Sequence, residues 1–531
     1  MNWSDLLQWE GNPLSQQAQV YEQQAQAVTN ASEDLSDRAN GLSGSGQTVT
    51  AAQQALRKNV EEMRKQAESL HSLATISGDA AKGADEIGKA ARKLDQDAAD
   101  KSIKIGADGS VDYVGKKAGS LIGGTQIMTK MAAVADTVSL IKFEADELVK
   151  DIQKNIAAVE SGGKPQTSGG GVSRLDRMKL PPKGASPDEV AKWWSSLTDA
   201  EKKEMVRRHS REIGNLDGVE GTWRDKANRK NLEEDLAAEQ EKLKKLQKAT
   251  GGGARMTPAE AAEMNGVLGR IKAMNSIKNT LDRENQDGVN RQLLCYDASN
   301  GDVRAAVAQG DVDTAQHIGV LVPGMYSNVA DNLDYYDDVS TRIRQGAEKH
   351  SDGQSVAMVT YMNYRAPQSI PEVTQSSYAD EGAKGLAGFL NGLDASREHG
   401  AGDAHITPIG HSYGSTTLGK ALTQVNDGVV DDFVMAGSPG AGVQDVSEMH
   451  VPKGHAYVGA APYMWDVVQG AGPDSSFGKN PDTMPGFKHI TGFTGRATSP
   501  LPPIAMHSSY FNKGSKPLDD MASIVAGKEP K

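Results

Sequence analysis

The first part of the chain carries a repeating apolar seam of the kind found on helices that pack against each other. Its first stretch has apolar residues at heptad spacing, namely Leu14, Ala18, Tyr21, Ala25, Val28 and Leu35. The segment NGLSGSG, residues 40–46, interrupts the seam, which resumes from Val49 to Ala74. Because a helix interior does not tolerate such a segment, the pattern predicts two helices that fold back as an antiparallel hairpin.

Other patterns complete a mainly helical first domain at residues 1–160. The alternating stretch around Asp108-Gly109 has the strongest short signal for a β-hairpin. A helix is expected from about Ile127 to Val159, where apolar residues recur on one face. Residues 161–172, which begin SGGKPQTSGGG, have the composition of a flexible linker, so we place a domain boundary there.

Helical patterns dominate residues 173–290 as well. Ser186 followed by Pro187 is a favourable helix start, because serine caps a helix and proline fits its first turn. The charged run that ends at Lys248 is typical of a solvated helix face. We expect this region to be a helical lead-in to the next domain.

The pattern changes near Gln292, where short β-rich runs begin and several are separated by helix-forming stretches. The runs are LLCYDA, VRAAVAQ, IGVLVPG, SVAMVTYMNY, HITPIG, DDFVMAGS and HAYVGAAP. Strands joined through helices predict a mostly parallel sheet that is covered on both faces. Residues 291–531 are therefore expected to form an α/β domain.

Composition excludes some classes of protein. The 531-residue chain has a net charge of −12, and no strongly basic segment marks a nucleic-acid partner. Its single cysteine, Cys295, excludes an intramolecular disulfide, and its apolar surroundings indicate a buried strand residue. We expect no membrane-spanning segment and no classical signal peptide, because no apolar run approaches the required length of about 18 residues.

Candidate chemistry centres on Ser412. Gly410, Ser412 and Gly414 form G-x-S-x-G, which forces a serine into a strained turn between a strand and a helix. Glycine is needed on both sides because a β-carbon would collide with the neighbouring element. The N–H of Tyr413 at the helix start is a candidate donor to an oxyanion, whereas His411 is expected to pack.

A serine nucleophile needs a base and an acid that orients the base, and in this architecture they follow in the order serine, acid, histidine. Asp466 is the favoured acid because it comes just after an apolar run, while Asp474 is its main rival and Asp445 a weaker one. His507 is the favoured base, with His489 as the alternative.

The second oxyanion donor is expected in the loop after an earlier strand. In GVLVPGM the N–H of Gly324 or Met325 is the candidate, because glycine lets the backbone approach a substrate carbonyl. No cluster has metal-ligand spacing and no phosphate-binding loop is present in the sequence, so we expect neither a metal nor a cofactor.

Residues 197–531 resemble the actinobacterial α/β-hydrolases grouped as DUF1023. The resemblance is carried by IGNLDGVEGTWRDKANR, VLVPGM, GHSYGSTT, FVMAGSPG, GPDSSFG and HSSY, in that order. It implies an α/β-hydrolase fold and a triad of Ser412, Asp466 and His507. At YMWD such proteins more often have a Pro-x-Asp-Pro-like turn, so Asp474 stays open as the acid.

Residues 14–75 are similar to the WXG100 family of small helical proteins linked to type VII secretion, whose Trp-x-Gly turn would fall on Leu42, Ser43 and Gly44.

From the serine pattern and its candidate partners, the sequence predicts a serine hydrolase that acts on carboxylic esters, including acyl or lipid esters. The alternative is a type VII secretion-associated interaction protein or effector whose helical hairpin binds a partner. The protein would be cytoplasmic or exported by a type VII-like route.

Overall fold

The chain forms two compact units, Met1–Leu180 and Pro181–Lys531. The computed structural model describes residues 1–44, 46–115, 121–165, 174–249, 256–461, 466–491 and 507–530. Most of the predicted linker, residues 166–172, lies outside the described residues, and so does the glycine break at residues 251–253.

The N-terminal unit is mainly helical. Its helices are α1 (Trp3–Leu6), α2 (Asn12–Gly41), α3 (Gln47–Ala99), α4 (Leu121–Glu160) and α5 (Arg174–Arg177). Two short strands, β1 (Ile103–Ile105) and β2 (Val111–Tyr113), pair antiparallel across the Asp108-Gly109 turn. Helices α2 and α3 form a hairpin. Glu22 of α2 contacts His71 of α3 at 2.8 Å, and Gln53 of α3 donates to the carbonyl of Leu42, which follows α2, at 3.2 Å.

Helix α3 continues about seven turns beyond the predicted seam, which we ended at Ala74. The continuation is rich in small residues, so it shows little apolar periodicity, yet those residues allow close packing. A β-carbon on Gly83 would lie 2.8 Å from a methyl carbon of Leu148, and one on Gly88 would lie 2.1 Å from the Trp9 carbonyl oxygen. The glycines therefore let neighbouring segments approach the helix.

The C-terminal unit alternates helices and strands. Its helices are α6 (Pro187–Ser195), α7 (Asp199–Ile213), α8 (Gly221–Ala249), α9 (Pro258–Asp282), α10 (Glu284–Asp287), α11 (Val329–His350), α12 (Ile370–Val373), α13 (Ser376–Glu398), α14 (Tyr413–Leu422), α15 (Asp474–Phe477) and α16 (Lys516–Val525). Its strands are β3 (Arg291–Asn300), β4 (Asp302–Gln309), β5 (His317–Val322), β6 (Val356–Met362), β7 (His405–His411), β8 (Phe433–Ala436), β9 (Ala456–Gly459) and β10 (Phe487–His489).

The eight strands of this unit form one sheet in the order β10-β9-β8-β7-β5-β6-β4-β3. Strands β6, β5, β7, β8, β9 and β10 run parallel, while β4 is antiparallel to both of its neighbours. The prediction of a mostly parallel sheet is confirmed. It missed β10, whose three residues are too few to show a period.

Helices cover both faces of the sheet, as the uninterrupted apolar runs predict. The core on one face includes Phe389 and Leu390 of α13 and Leu418 of α14. The core on the other face includes residues of α9, α11 and α16, among them Ile277, Val339, Ile343, Met521 and Ile524. Strands β5 and β6 are buried along their whole length. Because these strands run parallel, their C-terminal ends lie at the same edge of the sheet.

Side chains from α8 and the turn before it cover the outer edge of β3. Asn215 accepts from the Tyr296 N–H at 3.0 Å and donates to the Tyr296 carbonyl at 2.7 Å. Asp225 accepts from the Leu293 N–H at 2.7 Å, and Asn228 donates to the Leu293 carbonyl at 3.0 Å. The motif IGNLDGVEGTWRDKANR therefore supplies hydrogen-bond partners to the edge strand.

Cys295 lies in this same region and is buried, as the sequence indicates. Burial raises the pKa of its thiol to about 12, and Arg224 donates a hydrogen bond to Sγ at 3.2 Å. A protonated, buried thiol is a packing group rather than a nucleophile.

Among the helices of the described residues, none combines the length and the hydropathy that a membrane span requires.

Candidate active site

Ser412 occupies a strained turn between β7 and α14. Its φ of 55° and ψ of −130° are unusual for any residue other than glycine. A β-carbon on Gly410 would lie 2.5 Å from the Ser415 Cα, and one on Gly414 would lie 2.2 Å from the Val322 carbonyl oxygen. Both glycines are therefore required by the approach of backbone to backbone at this turn.

Hydrogen bonds fix the backbone of the serine. The Ser412 N–H donates to the Ala436 carbonyl at the end of β8 at 3.0 Å. The Ser412 carbonyl accepts from the N–H of Ser415 at 2.9 Å and from its hydroxyl at 2.6 Å. The Ser415 hydroxyl is also 2.7 Å from that of Ser438. The strained conformation is thus held from β8 as well as from α14.

His507 and Asp466 are in direct contact. The His507 Nδ1 lies 3.0 Å from each carboxylate oxygen of Asp466, whose side chain is fully buried. The other ring nitrogen, Nε2, is buried and has no hydrogen-bond partner among the described residues. This histidine therefore has one nitrogen held by an acid and one available, which is the arrangement that a general base needs.

Gly437 connects this pair to the serine turn. It follows Ala436, to which the Ser412 N–H is bonded. A β-carbon on Gly437 would lie 3.0 Å from both the His507 Cε1 and an Asp466 carboxylate oxygen. The histidine and the acid therefore lie at the end of β8, next to the strand that carries Ser412. No hydrogen bond joins Nε2 to the serine hydroxyl in the described structure, and catalytic contacts often tighten only when substrate is bound.

Asp466 has two further hydrogen-bond donors. The Val468 N–H bonds to Oδ1 at 3.0 Å, and the Tyr510 hydroxyl bonds to Oδ2 at 2.9 Å. Burial by itself would raise the pKa of this carboxyl, but His507 and these two donors hold the pKa below its usual value. Asp466 is therefore a carboxylate whose orientation is fixed by three groups.

His411 packs against His507, and it does more than the sequence indicated. The two ring centroids are 4.8 Å apart, and the His411 Nε2 donates to the His507 carbonyl at 3.0 Å. Burial, together with the nearby His507, lowers the pKa of His411 to about 3. The ring is neutral near pH 7 and helps to position the His507 backbone.

The loop after β5 lies against Ser412. A β-carbon on Gly324 would lie 2.6 Å from the Ser412 Cβ and 3.0 Å from its Oγ. The N–H groups of Gly324, Met325 and Tyr413 have no acceptor among the described residues. The Tyr364 hydroxyl donates to the Pro323 carbonyl, which anchors the start of the loop. The candidate oxyanion donors therefore flank the serine.

The rival residues lie elsewhere. Asp474 is exposed at the start of α15, and Asp445 caps a short 3₁₀ turn through Ser447. His489 is exposed on β10 and bonds to Asp482. The structure brings none of these three side chains into contact with Ser412. Residues 462–464 and Trp465, which precede Asp466, lie outside the described residues.

Within the described residues, no group of three or more histidine, cysteine, aspartate or glutamate side chains is arranged to hold a metal ion. The Nδ1 of His507 is bonded to the Asp466 carboxylate, while Nε2 has no partner among the described residues. Their arrangement supports proton transfer between a hydroxyl and an imidazole beside two backbone donors.

Comparison with known proteins agrees with the fold of the C-terminal unit. A family model described as alpha/beta hydrolase matches residues 298–473. Uncharacterized protein Rv2079 of Mycobacterium tuberculosis (strain H37Rv) is 28% identical over 419 residues, which cover 71% of this chain and 62% of that protein. The chain thus spans less than two thirds of that relative's length.

Two shorter mycobacterial proteins match a smaller part of the chain at higher identity. Uncharacterized protein Rv0963c of Mycobacterium tuberculosis and uncharacterized protein Mb0988c of Mycobacterium bovis are each 32% identical over 207 residues, which cover 38% of this chain and 75% of each relative. The chain thus belongs with these mycobacterial proteins, and the match of the family model to residues 298–473 shows that its C-terminal unit contains an alpha/beta hydrolase domain.

Proposed function

We propose that the protein is a serine hydrolase that cleaves carboxylic esters through an acyl-enzyme on Ser412. The observation that carries the proposal is the state of His507, which is bonded to a buried carboxylate through Nδ1 and has its Nε2 buried and unpartnered among the described residues. The imidazole lies beside Gly437, and the preceding residue, Ala436, accepts a hydrogen bond from the N–H of Ser412, which is held in a strained turn. These are the parts of an activated nucleophile.

In the proposed reaction the Ser412 Oγ attacks the ester carbonyl carbon while the His507 Nε2 takes the hydroxyl proton. The carbonyl oxygen becomes an oxyanion that accepts hydrogen bonds from the N–H of Tyr413 and from that of Gly324 or Met325. Collapse of this intermediate expels the alcohol, which takes the proton from His507. A water molecule then attacks the acyl-enzyme by the same steps and releases the acid.

Asp466 has a positioning and electrostatic role in this proposal. Its carboxylate holds the Nδ1–H of His507, so that Nε2 is the nitrogen without a proton, and it stabilises the imidazolium that forms. The three donors to the carboxylate favour its charged form. The acid is therefore prepared before the substrate arrives.

Exposed apolar side chains near the site support an acyl or lipid ester as substrate. Tyr326, Ile370 and Val467 are 51%, 63% and 38% exposed. They lie on the connections that follow β5, β6 and β9, at the same edge of the sheet as Ser412. Apolar groups at this edge favour a substrate with a hydrocarbon chain over a charged one.

Covalent labelling tests the proposal directly. A fluorophosphonate reacts with an activated serine, so it should label the unmodified protein, and mass spectrometry should locate the adduct on the peptide that contains Ser412. The same protein should hydrolyse short p-nitrophenyl esters. The Ser412→Ala protein should neither be labelled nor hydrolyse the esters. The Ser447→Ala protein, in which an exposed serine is changed, should do both. Label on another residue, or ester hydrolysis by Ser412→Ala, would refute the mechanism.

A second role concerns the α2–α3 hairpin, and it is compatible with the first. We propose, from the WXG100-like pattern of residues 14–75, that this hairpin binds a helical protein partner. The seam residues Leu14, Tyr21, Val28 and Leu35 are only partly buried, which supports an additional packing surface. If the partner belongs to a type VII system, deletion of that system should change the fraction of the protein found outside the cell. An unchanged distribution would count against this role.

A further inference from the structure

A cavity of about 320 Å³ lies beside the loop that carries the candidate oxyanion donors. Its walls come from α9, the turn between β3 and β4, the start of α11 and the segment after β6. Ser327 and Gln368 join it to the loop, because the Ser327 hydroxyl donates to the Gly324 carbonyl at 2.5 Å and the Gln368 amide donates to the Ser327 carbonyl at 3.0 Å. Ser412 does not line this cavity, but hydrogen bonds join the cavity wall to the loop that lies against Ser412.

Three of the four charged residues that line the cavity are arginines. Arg270, Arg304 and Arg365 line the cavity with Asp302 as the acidic residue, whereas the whole chain has a net charge of −12. Guanidinium groups in the wall of a cavity are candidate donors to an anion, since they present several N–H groups in one plane.

The carboxylates that pair with two of these arginines line a different cavity. Arg270 bonds to Glu239 at 2.8 Å, and Arg304 bonds to Asp297. Glu239 and Asp297 line the neighbouring cavity, together with Asp235. Neither Glu239 nor Asp297 lines the cavity of about 320 Å³, whereas Arg304 and Arg365 also line a third cavity together with Asp297.

Each guanidinium also keeps hydrogen-bonding capacity. A guanidinium has five N–H donors, and the contacts of Arg270 and Arg304 use one nitrogen each. Arg365 has the longest ion pair of the three, because its Nε is 3.9 Å from the Asp302 carboxylate; its side chain is 57% exposed, and its guanidinium lies 5.2 Å from the centre of the Tyr378 ring. Planar guanidinium groups with free N–H pairs bind phosphate and carboxylate groups in bidentate fashion.

We propose that this cavity binds a small anionic ligand that carries a phosphate or carboxylate group. Each of the three arginines has one carboxylate partner, so the ligand would be recognised through the remaining guanidinium N–H donors and not through a net positive charge. The volume is at the lower end of the range of about 300–1,000 Å³ for small-molecule sites, so it favours a compact metabolite-sized ligand over a polymer. This site does not depend on the proposed ester hydrolysis.

Isothermal titration calorimetry of the full chain in metal-free, low-salt buffer tests the proposal, with inorganic pyrophosphate and citrate as separate probes. Saturable binding of either probe is expected, and which one binds identifies phosphate or carboxylate as the recognised group. Arg304→Gln and Arg365→Gln should each weaken binding about tenfold, the usual effect of losing a charge-assisted hydrogen bond. Arg365→Gln should fold normally, since the residue is exposed and loosely paired.

Arg211→Gln is the matched control, because Arg211 lines the neighbouring acidic cavity and pairs with Asp235. It should leave the affinity unchanged. Ser412→Ala should bind the probes as the unmodified protein does, so failure of the proposed esterase would not affect this result. Absence of saturable binding for both probes, or equal affinities in Arg304→Gln, Arg365→Gln and Arg211→Gln, would overturn the proposal.

Discussion

The hydroxyl of Tyr510 donates a hydrogen bond to the Oδ2 of Asp466 at 2.9 Å. The same hydroxyl accepts from the Ala461 N–H at 2.9 Å, so it joins the segment after β9 to the C-terminal segment. Burial raises the pKa of Tyr510, which keeps the hydroxyl protonated and able to donate. Tyr510 therefore positions the acid that positions His507.

Removal of this hydroxyl should impair catalysis. Tyr510→Phe keeps the ring but removes a donor to a buried carboxylate, and such bonds contribute about 1.5–3 kcal/mol. We expect kcat/KM for a p-nitrophenyl ester to fall about tenfold, mainly through kcat, because the hydroxyl does not contact the substrate in the proposed mechanism. Tyr457→Phe removes a hydroxyl that bonds to the exposed Glu529 and should leave kcat unchanged. Equal kinetics in the two variants would contradict the role of Tyr510.

The choice of acid is tested by amide substitutions. Asp466→Asn keeps the size of the side chain but cannot hold His507 in the required tautomer, so kcat should fall on the order of 10³–10⁴-fold. Asp474→Asn and Asp445→Asn alter exposed carboxylates away from His507 and should keep normal kcat. Steady-state ester hydrolysis measures all three. A large loss in Asp474→Asn with normal Asp466→Asn would assign the acid to Asp474 instead.

The absence of a side chain at Gly324 should be essential. Gly324→Ala would place a methyl group 2.6 Å from the Ser412 Cβ, so the loop or the serine must move. Because displacements of about 1 Å cost on the order of 10²-fold in rate, kcat/KM should fall by at least that factor. Gly78→Ala is the control, since no atom lies within 4 Å of its added methyl group and alanine favours a helix. An active Gly324→Ala protein would argue against the proposed placement of the loop.

His411 should make stability depend on pH. Its pKa is about 3 in the folded protein and 6.5 for an ordinary histidine, so the unfolded chain binds the proton more tightly. The contribution is fully present above pH 6.5 and is lost as the pH falls towards 3. Between about pH 7.5 and pH 5 the loss should be roughly 2 kcal/mol in the free energy of unfolding.

Urea unfolding at these two pH values measures this effect. His411→Gln removes the titrating group, so the difference in unfolding free energy between the two pH values should shrink by about the same amount. His489→Gln, which changes an exposed histidine, should show the pH dependence of the unmodified protein. A His411→Gln protein with an unchanged pH dependence would exclude His411 as the source.

The sequence predicted those features that depend on local pattern. Uninterrupted apolar runs identified the strands of the central sheet, because a strand covered on both faces has no polar side. The strain at Ser412 was predictable from Gly410 and Gly414, since each glycine accommodates one specific backbone contact. The contact of His507 with Asp466 agrees with the expected chain order, while the catalytic roles of these residues stay predictions.

Features that depend on contacts between distant segments were not predicted. Tyr510 lies within the HSSY segment and His411 adjoins the nucleophile, yet only the fold shows that one holds Asp466 and the other holds His507. The length of α3 was underestimated because small residues pack without leaving an apolar period. Glycine-rich helix faces and short edge strands such as β10 carry little local signal.

The covered edge of β3 has a consequence for the behaviour of the protein at high concentration. An exposed outer strand presents unpaired amides that can recruit a strand from another molecule. Here Asn215, Asp225 and Asn228 already bond to the backbone of Leu293 and Tyr296, so these positions of β3 are not open to a strand from another molecule. Loss of these side chains would thus open a route to aggregation without touching the nucleophile.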